Sequence, residues 1–234
     1  MQAKYQRVLL KISGEALSGS KGHGYDTVAL SSVAKQVADL SKLGVEVGVV
    51  VGGGNFWRGR QGDEMDRTTA DYMGMLATVI NALALADALE RQGVEARVLT
   101  SLSISSIGET FNYKNADRYL KEGKIVVFGG GTGNPYFTTD TGASLRAVEI
   151  KADALLLAKN VDGIYDSDPR VNPNAKKFDK LTYDEYVAMG LRALDTSAVV
   201  MCKEHGLKIH AFGMEGENSI VNAVFGDTAG TVVY

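Results

Sequence analysis

Two apolar, β-branched runs end directly in glycine triplets: residues 45–51 lead into Gly52-Gly53-Gly54, and residues 124–128 into Gly129-Gly130-Gly131. A continuous apolar run without alternation reads as a strand buried on both faces, the situation of a parallel sheet covered by helices. Glycines where such a strand stops let successive amides turn toward an anion, because no Cβ blocks the approach and positive φ costs little. In open α/β sheets, ligands bind beyond the carboxyl ends of the strands. A third strand-like run, 7–12, carries Lys11 at its end and continues Ile12-Ser13-Gly14-Glu15-Ala16-Leu17. One triplet alone reads equally well as a turn. Two of them with a strand-end lysine point to two phosphate-bearing ligands, or to one long one.

The rest of the chain keeps the same alternation. Asp26 is a good N-cap before Val28, Val33, Val37 and Leu40 at helical spacing, and Gly44 closes that helix. A long helix from about 69 to 91 stops at Gly93. Strands at 94–99, 154–157, 208–212 and 231–234 alternate with helices around 115–121, 139–151, 183–189, 197–204 and 219–225. Strands separated by crossover helices predict a three-layer α/β/α architecture with an open, mostly parallel sheet. The Asp-, Asn-, Pro- and Lys-rich stretch 166–180 reads as an exposed loop. No linker or repeat divides the chain. Residues 1–234 read as one domain, with an N-terminal lobe of roughly 1–150 and a C-terminal lobe of roughly 151–234 sharing one sheet.

Composition narrows the class. A net charge of −3 with no basic stripe argues against binding polymeric nucleic acid. The single cysteine, Cys202, excludes an intramolecular disulfide framework and suits a reducing compartment. The N-terminal apolar run is too short for a signal peptide. The run 73–86 is shorter than the ~20 residues that span a bilayer, so it reads as a buried helix in the core or at a subunit interface. The expectation is a soluble, cytoplasmic protein.

Common phosphate motifs are absent. After Gly14 and Gly19 the order Ser20-Lys21-Gly22 displaces the lysine of a Walker loop, and no glycine cluster fits G-x-G-x-x-G. His23, His205 and His210 lack metal-ligand spacing and read as surface or packing residues.

Taken in order, several blocks closely resemble the bacterial UMP kinases, a branch of the amino-acid kinases. They are Lys11 to Leu17; Gly52-Gly53-Gly54-Asn55 with Arg58; Asp71-Tyr72-Met73-Gly74-Met75-Leu76-Ala77-Thr78; Thr132-Gly133-Asn134-Pro135-Tyr136-Phe137-Thr138-Thr139-Asp140; and Val161-Asp162-Gly163-Ile164-Tyr165 followed by Asp168-Pro169. The first two are shared across amino-acid kinases, while the Asp71 and Thr132–Asp140 blocks are specific to the UMP branch. The resemblance implies an amino-acid kinase-like fold and transfer of the γ-phosphate of ATP to UMP in pyrimidine biosynthesis. UMP would bind in the N-terminal lobe and ATP in the C-terminal lobe. It further implies a homohexamer of dimers, with GTP and UTP as effectors. The segment Gly19, Ser20, Lys21, Gly22, His23 and Gly24 would be linked to the GTP response.

By the same resemblance, Lys11, Arg58 and Asp140 are catalytic. Lys11, Ile12, Ser13, Gly14, Gly54, Arg58, Asn160, Tyr165 and Asp168 would bind ATP. Gly53, Asp71, Thr132, Gly133, Asn134, Pro135, Tyr136, Phe137, Thr138 and Thr139 would bind UMP. The chemistry fits: phosphoryl transfer needs positioning and charge neutralisation more than a strong base, and the UMP phosphate is already a deprotonated nucleophile. Lys11 can place its ammonium on the transferred group, the amides of Gly53 and Gly54 can hold oxygens, and the planar fork of Arg58 can bridge donor and acceptor.

Several residues have a plainer reading as well. Lys11 is otherwise a surface lysine and Arg58 a salt-bridge partner. Asp71 doubles as an N-cap, and Asp168 as half of an Asp-Pro turn. Asp140 has three readings: holding Mg²⁺ through water, orienting Lys11, or capping a helix. Lys159, beside Asn160, is a cation within reach of ATP phosphates. Mg²⁺ should accompany ATP, held mainly by phosphates and water. Two other functions compete. A carboxylate or carbamate acceptor is disfavoured because the Thr-Gly-Asn-Pro loop offers no cation for it. A catalytically silent nucleotide-sensing protein is disfavoured by the presence of Lys11, Arg58 and Asp140.

Overall fold

Strand β1 (Arg7–Ile12) occupies the middle of the sheet, paired in parallel with β2 (Glu46–Val51) on one side and β6 (Ala154–Lys159) on the other. Outward from β2 follow β5 (Ile125–Gly129), β3 (Ala96–Thr100) and the short β4 (Glu109–Thr110). Outward from β6 follow β10 (Lys208–Gly213), β11 (Thr231–Val233) and β9 (Lys180–Leu181), giving nine strands in all. Among the described residues of this sheet, only the β10–β11 pairing is antiparallel. The computed structural model describes residues 3–57, 65–216, 218–226 and 230–234.

Successive side chains of the central strands point to opposite faces, and each face has its own helices. Val8, Leu10 and Ile12 of β1 pack with α2 (Thr27–Lys42), α3 (Arg67–Arg91) and α8 (Ser219–Phe225). Leu9 points the other way, toward α4 (Tyr113–Lys121), α5 (Thr139–Glu149), α6 (Tyr183–Ala188) and α7 (Thr196–Glu204). A one-turn helix, α1 (Glu15–Ser18), follows β1.

The stretch 166–180 is more than a loop. Lys177–Phe178 (β8) pairs antiparallel with β7 (Ile164–Tyr165) to form a separate ribbon, and β9 begins at Lys180. Two-residue pairings are too short to leave a period-2 pattern in a polar sequence. Helix α3 begins earlier than its spacing suggests, at Arg67, because Asp66 is its N-cap and accepts from the Thr69 amide. Asp71 therefore lies inside the helix, and its N-cap reading is incorrect. Over its full length α3 is long and apolar enough, by length and composition, to cross a membrane. Its packing identifies it as a core helix instead: Ala82, Leu85 and Leu89 are buried against the sheet. Its other side exposes Tyr72, Leu76, Ile80 and Leu83, spaced along one face.

Candidate functional site

The carboxyl ends of β1, β2, β5 and β6 meet along one edge, and the loops that leave them enclose two neighbouring cavities. Close approach explains the first glycine: a Cβ on Gly14 would stand 2.4 Å from both the Gly52 carbonyl and Asn55 Oδ1. A Cβ on Gly53 would stand 2.9 Å from the Gly74 carbonyl and the Ala77 methyl, so glycine lets this loop settle on α3. The same helix pins two further loops. Thr78 Oγ1 accepts from the Gly130 amide at 2.8 Å, and Asp71 Oδ2 accepts from the Tyr136 amide at 2.8 Å. Arg67 also donates to Asp71 at 2.9 Å.

The larger cavity, about 630 Å³, lies between β6, the β7–β8 ribbon and the segment 189–193. Of the expected ATP residues it gathers Lys11, Ser13, Asn160, Tyr165 and Asp168. The Ile12 side chain is instead in the core, and its carbonyl accepts from the Gly52 amide at 2.9 Å. Gly14 is packed under Asn55, and Gly54 lines the other cavity. The Asp168 carboxylate accepts from Arg170 at 2.7 and 3.0 Å and from its backbone amide, which holds the acid down at about 2. Tyr165 donates to Asp162, a bond that raises the phenol pKa.

The smaller cavity, about 220 Å³, gathers Gly53, Asp71, Thr132, Asn134, Phe137, Thr138 and Thr139 from the expected UMP set. Gly133, Pro135 and Tyr136 are not in its lining. Gly133 (φ 80°) turns the chain against Ser101, while the exposed ring of Tyr136 has the Arg67 guanidinium over it at 5.8 Å. Trp57 and Arg67 also line this cavity, and the Trp57 indole donates to the Ala70 carbonyl at 3.0 Å. Neither had a distinguishing sequence signal. Arg58 lies outside the described residues.

An ion pair connects the two linings, since Lys11 belongs to the larger cavity and Asp140 follows Thr139 of the smaller one. Lys11 Nζ is 2.8 Å from Asp140 Oδ1, and both side chains are largely enclosed. Asp140 sits in the first turn of α5 but does not cap it. Thr138 is the N-cap, accepting from the amides of Asp140 and Thr141 at 3.1 and 3.4 Å. The Thr138 hydroxyl donates to Asp195, at the start of α7, and Lys159 donates to the neighbouring Ala193 carbonyl. Burial first, and the nearby Lys11 charge second, lower the Lys159 pKa, while Asp140 and Asp195 oppose them. Two lysines and two carboxylates thus share the junction. Asp195 was invisible in the sequence, because an acid before a helix reads as an N-cap. Here its side chain makes no cap bond.

This architecture has relatives. The family model described as Amino acid kinase family matches residues 6–213. The chain belongs to the amino acid kinase family. The UMP kinase from Bacillus anthracis superposes with a TM-score of 0.94 at 36% identity, over 98% of this chain and 96% of that one. The UMP kinase from Ureaplasma parvum gives 0.91 at 36% identity, over 98% and 99%. The uridylate kinase from Archaeoglobus fulgidus gives 0.74 at 28%, over 97% and 99%.

Like the cavities, the segment from Gly19 to Gly24 has definite contacts in this member of the amino acid kinase family. Gly19 and Lys21 bound a 3₁₀ turn, and Lys21 Nζ donates to the Tyr25 carbonyl at 3.1 Å. His23 meets Phe56 edge-on at 5.7 Å. Gly19 and Gly22 border a depression shared with Glu15 and Asn160, beside the larger cavity. Ser20 is exposed. Among the described residues no group of three or more His, Cys, Asp or Glu is placed to hold a metal ion.

Proposed function

We propose that the protein is a UMP kinase that transfers the γ-phosphate of ATP to UMP, giving ADP and UDP. The observation that carries this reading is the Lys11–Asp140 pair at the junction of the two cavities. ATP fits the larger cavity, with Tyr165 offering a flat face to the base, and UMP fits the smaller one, with Asp71 as acceptor for ribose hydroxyls. The UMP phosphate oxygen attacks the γ-phosphorus, the bond to the β,γ-bridging oxygen breaks, and ADP leaves with that electron pair. Lys11 neutralises charge on the moving phosphoryl group while Asp140 holds the ammonium in place. The amides of Gly53 and Gly54, and Arg58, supply further donors. Preorganised donors of this kind act without reorganising as charge develops.

Magnesium accompanying ATP would neutralise triphosphate charge. Phosphate oxygens and water would supply most of its ligands. The exposed α3 stripe of Tyr72, Leu76, Ile80 and Leu83 suits the dimer contact of a homohexamer. GTP and UTP are the proposed effectors, with Gly19 to Gly24 in the GTP response, and the setting is a soluble cytoplasmic enzyme.

The test is ADP release with ATP and Mg²⁺, comparing UMP, CMP, dUMP, aspartate, glutamate and carbamate. Turnover that depends on UMP and is lost in Lys11→Ala supports the reading. Turnover with another acceptor keeps the fold and discards UMP as substrate. UMP binding without any turnover would make the protein a nucleotide sensor.

A further inference from the structure

Beneath the glycine loops lies a buried pair of amides that none of the roles above uses. Asn81, fully buried on α3, donates to the Gly52 carbonyl at 2.6 Å and to Asn55 Oδ1 at 2.7 Å. Asn55, 1% exposed, returns a bond to Asn81 Oδ1 at 3.1 Å and also donates to the Gly24 carbonyl at 2.9 Å. The Gly24 amide donates back to the Asn55 carbonyl at 3.0 Å, and the Tyr25 hydroxyl donates to Asn81 Oδ1 at 3.0 Å. Every donor and acceptor of the Asn81 side chain is engaged. Gly14 rests on the same pair, 2.4 Å from Asn55 Oδ1 to a would-be Cβ.

We propose that Asn81 is a positioning residue for phosphoryl transfer, fixing through Gly52 and Asn55 the loop whose Gly53 and Gly54 amides hold phosphate oxygens. The inference rests on the kinase reading for its catalytic consequence, not for the ordering of the loop. A backbone carbonyl at the first glycine of the triplet sets the plane of the next amide, since the peptide unit is rigid. Leucine or alanine at this core position would serve helix packing as well, so the amide is explained by what it holds. The pair also joins the segment ending in Gly24 to the phosphate loop, so a ligand that shifts this segment acts on the loop through Asn55.

The experiment compares the full chain with Asn81→Ala and Asn81→Asp, using Leu120→Ala, in the core on the far face of the sheet, as a match for lost stability. Turnover is measured per folded molecule, well below each melting temperature, together with amide hydrogen exchange at Gly53 and Gly54. Asn81→Ala is expected to lower kcat by about 10–100-fold, the scale of misplacement by an ångström, with KM for UMP changed far less and the two amides exchanging faster. In Asn81→Asp the protonated carboxyl still donates one bond but the ionised form cannot. Burial raises its pKa, so its activity should fall as pH rises through that value, a step absent from the parent. Unchanged kcat per folded molecule and unchanged exchange in Asn81→Ala overturn the proposal. An inactive parent would remove the kinase reading alone, because exchange at Gly53 and Gly54 still decides whether Asn81 orders the loop.

Discussion

Lys11 and Asp140, 129 positions apart in the chain, meet at 2.8 Å where the two cavities adjoin. β1 delivers the lysine and the first turn of α5 the carboxylate. Replacing Lys11 by alanine should lower kcat by about 10²–10³, the usual effect of losing one preorganised donor. Asp140→Asn keeps the shape and removes the charge, so the ammonium loses its anchor. A smaller fall in kcat with nearly unchanged KM values is expected. Steady-state kinetics of both variants check this, and a fall confined to KM would contradict the assignment.

Asp71 holds the Tyr136 amide at 2.8 Å, and so shapes the loop over the smaller cavity. Asp71→Ala should raise the dissociation constant of UMP by about 10–100-fold, as expected for hydrogen bonds to a charged group, and leave ATP affinity nearly unchanged. Calorimetry with each nucleotide separates the two.

Gly14→Ala should be severe although it adds one methyl. Its Cβ would meet the Gly52 carbonyl and Asn55 Oδ1 at 2.4 Å, and neither is the end of a flexible chain. Overpacking of this kind costs about 1–3 kcal/mol. Both a lower melting temperature and lower turnover are expected. A variant with parental stability and activity would show that the loop yields without consequence.

The exposed stripe on α3 gives a test of assembly. Ile80, 46% exposed, would be covered in a dimer built on this helix. Ile80→Lys would then bury an ammonium at the contact and shift the protein toward monomer in light scattering, with the far-ultraviolet dichroism preserved. An unchanged mass would place the contact elsewhere.

Alkaline pH should destabilise the protein. Burial pushes the Cys202 thiol up to about 11 from 9.0, and the Tyr183 and Tyr186 hydroxyls up to about 12 from 10.0. The folded state keeps protons that the unfolded chain releases, so this stability is present below pH 9 and lost as pH rises through 11 and 12. Melting temperature should fall across that range, and Cys202→Ala should flatten the first part of the decline. At neutral pH the buried thiol should resist a disulfide reagent until the protein unfolds.

Much of this molecule was legible in the chain because its signals are local. Val47, Val49 and Val50 run without alternation, which is what a strand buried on both faces requires, and the glycines that end it need no partner to be noticed. Asp26 caps α2 as its position suggests, accepting from the amides of Val28 and Ala29. Local blocks likewise marked Lys11, Asp71 and the loop from Thr132 to Asp140. Local reading failed where several roles suit one residue type. Asp71 looks like an N-cap until Asp66 is seen in that place, and Asp140 until Thr138 is.

The sequence by itself determined the layered α/β architecture, the glycine loops at the strand ends and the resemblance to UMP kinases. Those follow from periodicity, backbone freedom and short contiguous motifs. Only the tertiary structure decided which distant groups share a space: Asp195 with Thr138, Lys159 with Ala193, and Asn81 with Gly52. In the chain Asn81 is merely a polar interruption of an apolar helix. Its amide acquires a purpose only when crossover packing brings α3 under a loop nearly thirty residues earlier. A buried polar group must find partners, but nothing in its own neighbourhood of the sequence names them.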